Sequence, residues 1–470
     1  MACTFSNSAA YNGQCCGRHG HLISQGAEVN KGGNNGWTAL HSAAYNGHVD
    51  VIKYLISQGA EVNKGDNDGL TALHCAAYNG HVDVIKYLIS QGAEVNKGGN
   101  NGLTALHSAA YKGHVDVTKY LIGQGAEVNK GRDDGWTALY CAAYNGHVDV
   151  IKYLISQGAE VNKGRDDGWT ALHSAAYNGH VDVIKYLISQ GAEVNKRDND
   201  GLIALHSAAR NGHVDVIKYL ISQGAEVNKG GNNGWTALHS AAYKGHVDVI
   251  KYLISEGAEV NKGDNDGWTA LYCAAYKGHV DVIKYLISEG AEVNKGRDDG
   301  WTALHSAAYK GHVDVIKYLI SQGAEVNKGR DNGRTALHSA AYNGHVDVIK
   351  YLISQGAEVN KGDNDGWTAL YCAAGNGHVD VIKYLISQGA EVNKGRDDGW
   401  TALHSAAYKG HVDVAKYLIS EGAEVNKEDN EGITALHRAV DKGLIDVIKY
   451  LISHGAEVNK GVIMMVGLFS

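Results

Sequence analysis

Apolar residues recur at helical spacing in two short segments that repeat every 33 residues along the chain. In the copy that opens at Gly69, the spacing predicts a first helix over 72–78, rich in small residues, and a second helix over 81–91. Thr71 precedes the first helix as an N-cap, and glycines end both helices. The second helix carries one apolar stripe, formed by Val82, Val84, Ile85, Leu88 and Ile89.

The repeat predicts a stacked array, because two helices of two or three turns cannot bury an apolar face without neighbours. Thirteen copies open on glycines from Gly36 to Gly432. We therefore expect a degenerate N-terminal partial repeat over 1–35 and twelve repeats over 36–431. A C-terminal capping repeat over 432–461 and an unstructured hydrophobic tail over 462–470 complete the predicted organisation.

The repeated motif T-A-L-H-x-A-A-x-x-G-H, followed by L-I-x-x-G-A-E-V-N, resembles the ankyrin-repeat signature. The resemblance covers 36–461 and implies an all-α fold, a solenoid of helix-turn-helix units with hairpin-like tips, whose superhelical hand we leave unassigned. The chain departs from the family at Ala72, where proline is usual, and at Cys75, where leucine is common. The second departure predicts a lighter core in the first-helix layer.

Composition and charge exclude several classes of function. The net charge is −8 with no basic stripe, so we expect no nucleic-acid partner. The first 24 residues lack a secretory signal and the apolar stretch 462–469 is too short to span a bilayer, so we expect an intracellular, cytoplasmic chain without direct membrane insertion. Four cysteines share one register position at least two repeats apart, which predicts free thiols: Cys75, Cys141, Cys273 and Cys372.

Histidines occupy two positions of most repeats. Ten stand where His74 does and twelve where His81 does. Since no pair with metal-ligand spacing recurs, we favour a structural role over a metal site and expect no metal or cofactor. The family resemblance implies that His74 and its equivalents tie neighbouring repeats together. Three repeats instead carry a tyrosine followed by cysteine, at Tyr140, Tyr272 and Tyr371.

Two aromatic columns are the candidate partner-binding site. By resemblance to ankyrin arrays, these positions face the inner, concave surface. Binding of a partner and stacking of each ring on its counterpart one repeat along are both open, and they are compatible. The tryptophans precede the capping threonine: Trp136, Trp169, Trp235, Trp268, Trp301, Trp367 and Trp400. The tyrosines end the first helix: Tyr144, Tyr177, Tyr243, Tyr276, Tyr309, Tyr342 and Tyr408.

The segment L-I-S-Q-G-A-E-V-N resembles substrates of the asparaginyl hydroxylase that modifies ankyrin repeats. The resemblance nominates the asparagine that ends each segment. The alternative is that this side chain only ties its turn by hydrogen bonds. The candidate hydroxylation sites are Asn63, Asn96, Asn129 and Asn162.

No nucleophile triad, paired-carboxylate cleft or phosphate loop is visible in the sequence, and near-identical copies offer no unique constellation for catalysis. We therefore expect a non-catalytic scaffold that binds another protein in the concave groove. Two alternatives stay open. The chain is the ankyrin-repeat portion of a larger receptor, channel or enzyme, or it is a structural spacer.

Overall fold

The computed structural model describes residues 28–458, and within that range it contains 26 α-helices and no strand beyond an isolated bridge between Glu428 and Thr434. The predictions made for residues 1–27 and for the tail 462–470 lie outside the described range. The chain divides into two compact units, Met1–Glu226 and Val227–Ser470. The all-α helix-turn-helix solenoid that the sequence predicts is confirmed.

The first unit contains six helix pairs in its described part. Odd numbers label the first helix of each repeat and even numbers the second. The helices are α1 (Ala39–Tyr45), α2 (Val49–Ser57), α3 (Ala72–Asn79), α4 (Val82–Ser90), α5 (Ala105–Lys112), α6 (Val115–Gly123), α7 (Ala138–Asn145), α8 (Val148–Ser156), α9 (Ala171–Asn178), α10 (Val181–Ser189), α11 (Ala204–Asn211) and α12 (Val214–Ser222).

The second unit contains seven helix pairs in its described part. They are α13 (Ala237–Lys244), α14 (Val247–Ser255), α15 (Ala270–Lys277), α16 (Val280–Ser288), α17 (Ala303–Lys310), α18 (Val313–Ser321), α19 (Ala336–Asn343), α20 (Val346–Ser354), α21 (Ala369–Gly375), α22 (Val379–Ser387), α23 (Ala402–Lys409), α24 (Val412–Ser420), α25 (Ala435–Asp441) and α26 (Ile445–Ser453).

The helix boundaries follow the predicted caps. Thr71 has extended backbone, φ −96° and ψ 170°, and α3 begins directly after it. Gly80 ends α3 in the left-handed region at φ 81°, and a Cβ added there would lie 2.7 Å from Nδ1 of His114 in the next repeat. The second helix is shorter than the predicted 81–91, because His81 caps it rather than joining it.

The core of each unit lies between successive helix pairs. Leu73, Ile85 and Leu88 are at most 1% exposed, and the small residues Ala76 and Ala77 are fully buried. Within each unit the first helices of neighbouring repeats pack together more closely than the second helices do. Small side chains in the first helices permit this approach, as the sequence predicts for a light first-helix layer.

The last helix pair differs from the others in what it exposes. Val440, Ile445 and Ile452 on α25 and α26 are 56%, 57% and 45% exposed. Arg438 replaces a small residue and forms an ion pair of 2.6 Å with the buried carboxylate of Asp429. The role of 432–461 as a capping repeat stays a prediction.

The described helices are seven to nine residues long. Between residues 28 and 458, none has the length and apolar character needed to cross a bilayer.

Candidate binding surface

The first histidine column links successive repeats through the backbone. Nδ1 of His74 accepts from the amide of Thr71 at 3.0 Å, so the proton resides on Nε2, which donates to the carbonyl of Leu103 in the next repeat at 2.9 Å. Burial lowers the pKa of His74 to about 4, so the ring stays neutral near pH 7. The structural role predicted for this histidine is confirmed.

The second histidine column links repeats in the opposite direction. Nε2 of His81 lies 2.9 Å from the carbonyl oxygen of Tyr45 in the preceding repeat. The same bond recurs along the column, as in His114 to Tyr78 and His147 to Tyr111, so these histidines serve the stack. In the part of the chain that the structure describes, no three His, Cys, Asp or Glu side chains are grouped as a metal site.

The candidate hydroxylation sites are also engaged between repeats. The amide of Asn63 donates to the carbonyl of Gly92 at 2.9 Å, and its Oδ1 accepts from the backbone N–H of Glu94 at 2.9 Å. The prediction that the asparagine ties only its own turn is therefore too narrow, because the bonds reach the following repeat. The same pair of bonds recurs at Asn96, Asn129 and Asn162.

The tyrosine variants of the first histidine column use a different link. The hydroxyl of Tyr140, which is 3% exposed, accepts at 3.1 Å from Nη1 of Arg165, at the tip that leads to the next repeat. Tyr371 and Arg396 repeat this contact at 3.3 Å. Burial raises the pKa of Tyr140, so its hydroxyl keeps its proton.

The predicted aromatic columns meet in the repeats that carry both rings, whereas Gly375 replaces the tyrosine in the repeat of Trp367. The rings of Trp268 and Tyr276 lie 5.7 Å apart, and those of Trp301 and Tyr309 are also 5.7 Å apart. Further such pairs join Trp136 to Tyr144, Trp169 to Tyr177, Trp235 to Tyr243 and Trp400 to Tyr408. The columns thus form one aromatic strip in each unit, defined here as the paired tryptophan and tyrosine positions.

Contacts along the strip support the stacking interpretation as well. Trp235 and Trp268 lie 6.4 Å apart, and the rings of Tyr243 and Tyr276 are 6.4 Å apart and nearly parallel at 17°. The strip nevertheless keeps accessible surface, since Tyr342 is 44% and Tyr177 38% exposed. Most of the tryptophans are half-buried, whereas Trp136 is only 5% exposed and offers little area to a partner.

Cations lie against the strip, a feature that the sequence analysis missed. The guanidinium of Arg330 is 4.0 Å from the Trp301 ring centroid, and that of Arg438 is 4.4 Å from Trp400. Lys112 lies 4.4 Å from the ring of Tyr78. The signal was available in the sequence, because these cations are the residues at which otherwise identical copies differ.

Carboxylates at two tips of the first unit hold the indole of a tryptophan. The indole N–H of Trp169 donates to Asp198 at 2.8 Å, and that of Trp37 donates to Asp66 at 2.9 Å. Where Arg334 replaces the tryptophan, its Nε contacts Asp363 at 2.8 Å. These acidic tips therefore orient Trp37 and Trp169, whereas the indole N–H of Trp235 donates to the hydroxyl of Ser240.

The four cysteines in the first-helix layer are free and buried, as predicted. Burial raises the pKa of Cys75 and of Cys273, so both thiols stay protonated. They act as small core residues of the first-helix layer.

Stacked helix pairs, linked by side chains that bond to the neighbouring backbone, define an α-solenoid of short tandem repeats. The family model for ankyrin repeats matches this chain in nine overlapping segments: 7–99, 65–131, 94–165, 125–198, 155–230, 191–264, 260–330, 327–396 and 391–461. The chain belongs to the ankyrin-repeat family. Ankyrin repeats are generally protein-interaction modules and are typically non-catalytic. A search of curated proteins finds no match to this chain.

Proposed function

We propose that this chain is a non-catalytic scaffold that binds another protein along its aromatic strip. The observation that carries the proposal is the pairing of half-buried tryptophan and tyrosine rings in successive repeats, as in Trp268 with Tyr276 and Trp301 with Tyr309. Such rings supply large contact area at small loss of side-chain entropy, and they dominate the energetic centres of protein interfaces.

The closer packing of first helices supports this placement. Within a unit, a stack whose first helices approach each other more closely than its second helices bends towards the first helices. The tyrosine column ends those first helices, so the strip would lie on the inner side of the bend. Several repeats would then contact one partner at once, which raises the overall affinity.

A pull-down from native lysate tests the proposal. Trp235, Trp268 and Trp301 are changed together to leucine, the residue that three repeats carry at this position, as in Leu70. We expect a captured protein to be lost from the variant, because the variant lacks the indole contact area. Circular dichroism checks that the variant keeps its helices.

The matched control changes three second-helix tyrosines, Tyr252, Tyr285 and Tyr318, to leucine. The control should retain the captured protein. Loss of that protein from both variants would contradict binding at the strip, and a wild-type chain that captures nothing would favour a spacer.

We further propose that Asn63, Asn96, Asn129 and Asn162 are substrates of an asparaginyl hydroxylase. Each lies on an exposed turn but makes two bonds to the next repeat, so the turn must leave the stack to enter an enzyme. Mass spectrometry after incubation with the enzyme should find one added oxygen atom on these residues, and more of it in urea that loosens the stack. Unmodified asparagines under both conditions would end the proposal.

A further inference from the structure

Three successive repeats of the second unit carry a lysine directly after the tyrosine of the aromatic strip. Lys244, Lys277 and Lys310 end α13, α15 and α17, and all three are exposed. Most other repeats have asparagine here, as at Asn343, whose amide bonds to the carbonyl of Ser339 in its own helix, and Lys112 and Lys409 occupy the same position outside these three repeats. We call these three lysines the lysine row.

The lysine row lacks carboxylate partners. Among the ion pairs within 4 Å over residues 28–458, none includes Lys244, Lys277 or Lys310. Lysines of the second helices differ, since Lys284 pairs with Asp281 at 3.8 Å. In a chain of net charge −8, the lysine row is therefore a local positive surface whose charge no neighbouring side chain neutralises.

A tip carboxylate in this part of the chain is already engaged. Asp299 contacts both Arg297 and Arg330, at 3.6 and 3.5 Å. The pKa of Lys310 is raised by its hydrogen bond to Tyr276, which keeps its ammonium charged. The row consequently offers its charge to a ligand from outside the chain.

Two lysines of the row cover ring faces of the tyrosines. Nζ of Lys277 lies 4.3 Å from the Tyr243 centroid, and Nζ of Lys310 lies 4.5 Å from the Tyr276 centroid. A nucleic-acid strand would need those faces for base stacking. Ammonium groups and phenol hydroxyls suit carboxylates instead, because both donate hydrogen bonds.

The spacing of the row selects an extended peptide. The rings of Tyr243 and Tyr276 are 6.4 Å apart and nearly parallel, and Lys277 and Lys310 lie over these two rings, so their ammonium groups share that spacing. Lys244 extends the row at the same sequence position one repeat earlier, where Arg210 replaces the tyrosine of the preceding repeat. In an extended strand, every second residue lies on one face and advances by about 6.6 Å. Carboxylates at alternate positions would therefore meet successive lysines.

Resting on the proposed function, we propose that Lys244, Lys277 and Lys310 bind an extended acidic segment of the partner protein that carries aspartate or glutamate at every second residue. The tyrosines between the lysines contact the intervening residues. The charge of the row thus sets the class of partner. The spacing of the repeats sets the register in which the acidic segment binds.

Fluorescence anisotropy with defined peptides tests this inference. The probes are a labelled Asp-Gly alternating peptide and a block peptide of the same composition, measured with the full chain at about 0.1 M salt, where screening extends over about 10 Å. We expect the alternating peptide to bind about tenfold more tightly, since exposed ion pairs each contribute about a two- to fivefold change and only this peptide forms three.

The variant K244N/K277N/K310N introduces the asparagine that other repeats carry, so its fold should be preserved. It should lose about tenfold or more in affinity for the alternating peptide. The variant K251N/K284N/K317N removes the same charge from the second helices and should bind almost as the wild-type chain does.

Equal binding of the two peptides, or equal loss in both variants, would overturn the inference. An oligothymidylate that binds more tightly than the alternating peptide and is released by K244N/K277N/K310N would also overturn it, in favour of a nucleic-acid surface. A lysate partner that is lost from the tryptophan variant but retained by K244N/K277N/K310N would overturn it too, while the proposed function would stand.

Discussion

Two adjacent repeats of the first unit bond to their neighbours in different ways. His107 uses Nε2 to donate to the carbonyl of Trp136 at 2.8 Å, a group that any residue would supply. Tyr140, one repeat later, has its hydroxyl bonded to the side chain of Arg165 at 3.1 Å. The histidine link needs only a backbone carbonyl of the next repeat. The tyrosine link instead depends on which side chain stands at the tip that follows.

The difference between the histidine and tyrosine links is visible in the sequence. Every tyrosine variant is followed by an arginine at the next tip, Arg165, Arg297 or Arg396. Histidine repeats precede tips with arginine, glycine or aspartate alike, as expected for a link to the backbone. First helices and tips of this chain are therefore not freely interchangeable, because a tyrosine in the first helix requires an arginine at the tip that follows.

Of the tests that bear on this comparison, a change of pH should alter the free energy of unfolding most. His74, His107 and His305 are buried, which lowers the pKa of each to about 4 from 6.5. The unfolded chain therefore binds more protons between these values, so the stabilisation is present above pH 6.5 and is lost as the pH falls towards 4. Lowering the pH from 7 to 5 should reduce the free energy of unfolding by about 2 kcal/mol for each such histidine.

Urea unfolding at pH 7 and pH 5 measures this loss. The variant Y140H, unfolded under the same conditions, tests whether one more histidine increases the loss. A new buried histidine should add about 2 kcal/mol to the pH dependence, because tyrosine does not titrate in this range. An unfolding midpoint that is the same at both pH values would show that the histidines are not held neutral by burial.

Much of the fold was predictable because it depends on local spacing. The caps at Thr71 and Gly80 and the apolar residues of α4 follow from the sequence of one repeat. The boundary at His81 was missed by one residue, since its ring reaches back to Tyr45 of the preceding repeat. Reading one repeat alone could not reveal a contact that exists only between two.

The candidate surface was less predictable than the fold. The tryptophan and tyrosine columns were found as columns, but Arg330 over Trp301 and Lys277 over Tyr243 were not. Side chains that meet across repeats are separated by about one repeat length, and their contact depends on rotamers that periodicity does not fix. Comparing copies, rather than averaging them, is what identifies such residues.

Truncation of the arginine at the tip tests directly whether the tyrosine link depends on it, and its expected effect is smaller than that of pH. R165A should destabilise the chain by about 1–3 kcal/mol, because it leaves the buried hydroxyl of Tyr140 without its donor. R330A is the matched control: Arg330 also stacks on a tryptophan, but its repeat carries His305 in place of the tyrosine, and His305 bonds to the backbone carbonyl of Arg334. Its loss should be about 1–2 kcal/mol, because Arg330 is 18% exposed and also pairs with Asp299 at 3.5 Å, but R330A leaves no buried hydroxyl without a donor.

The double variant Y140H/R165A then separates the two kinds of link. A histidine at this position can donate to the carbonyl of Trp169, as His107 does to that of Trp136, and that carbonyl persists when Arg165 is truncated. We therefore expect the double variant to be more stable than R165A at pH 7. This advantage should be smaller at pH 5, where the new histidine is protonated in the unfolded chain. Urea unfolding of the four chains in the cycle gives the coupling energy between positions 140 and 165. A coupling energy near zero would mean that the tyrosine repeats tolerate any residue at the tip, as the histidine repeats do. A loss of stability in R165A no greater than in R330A would mean the same.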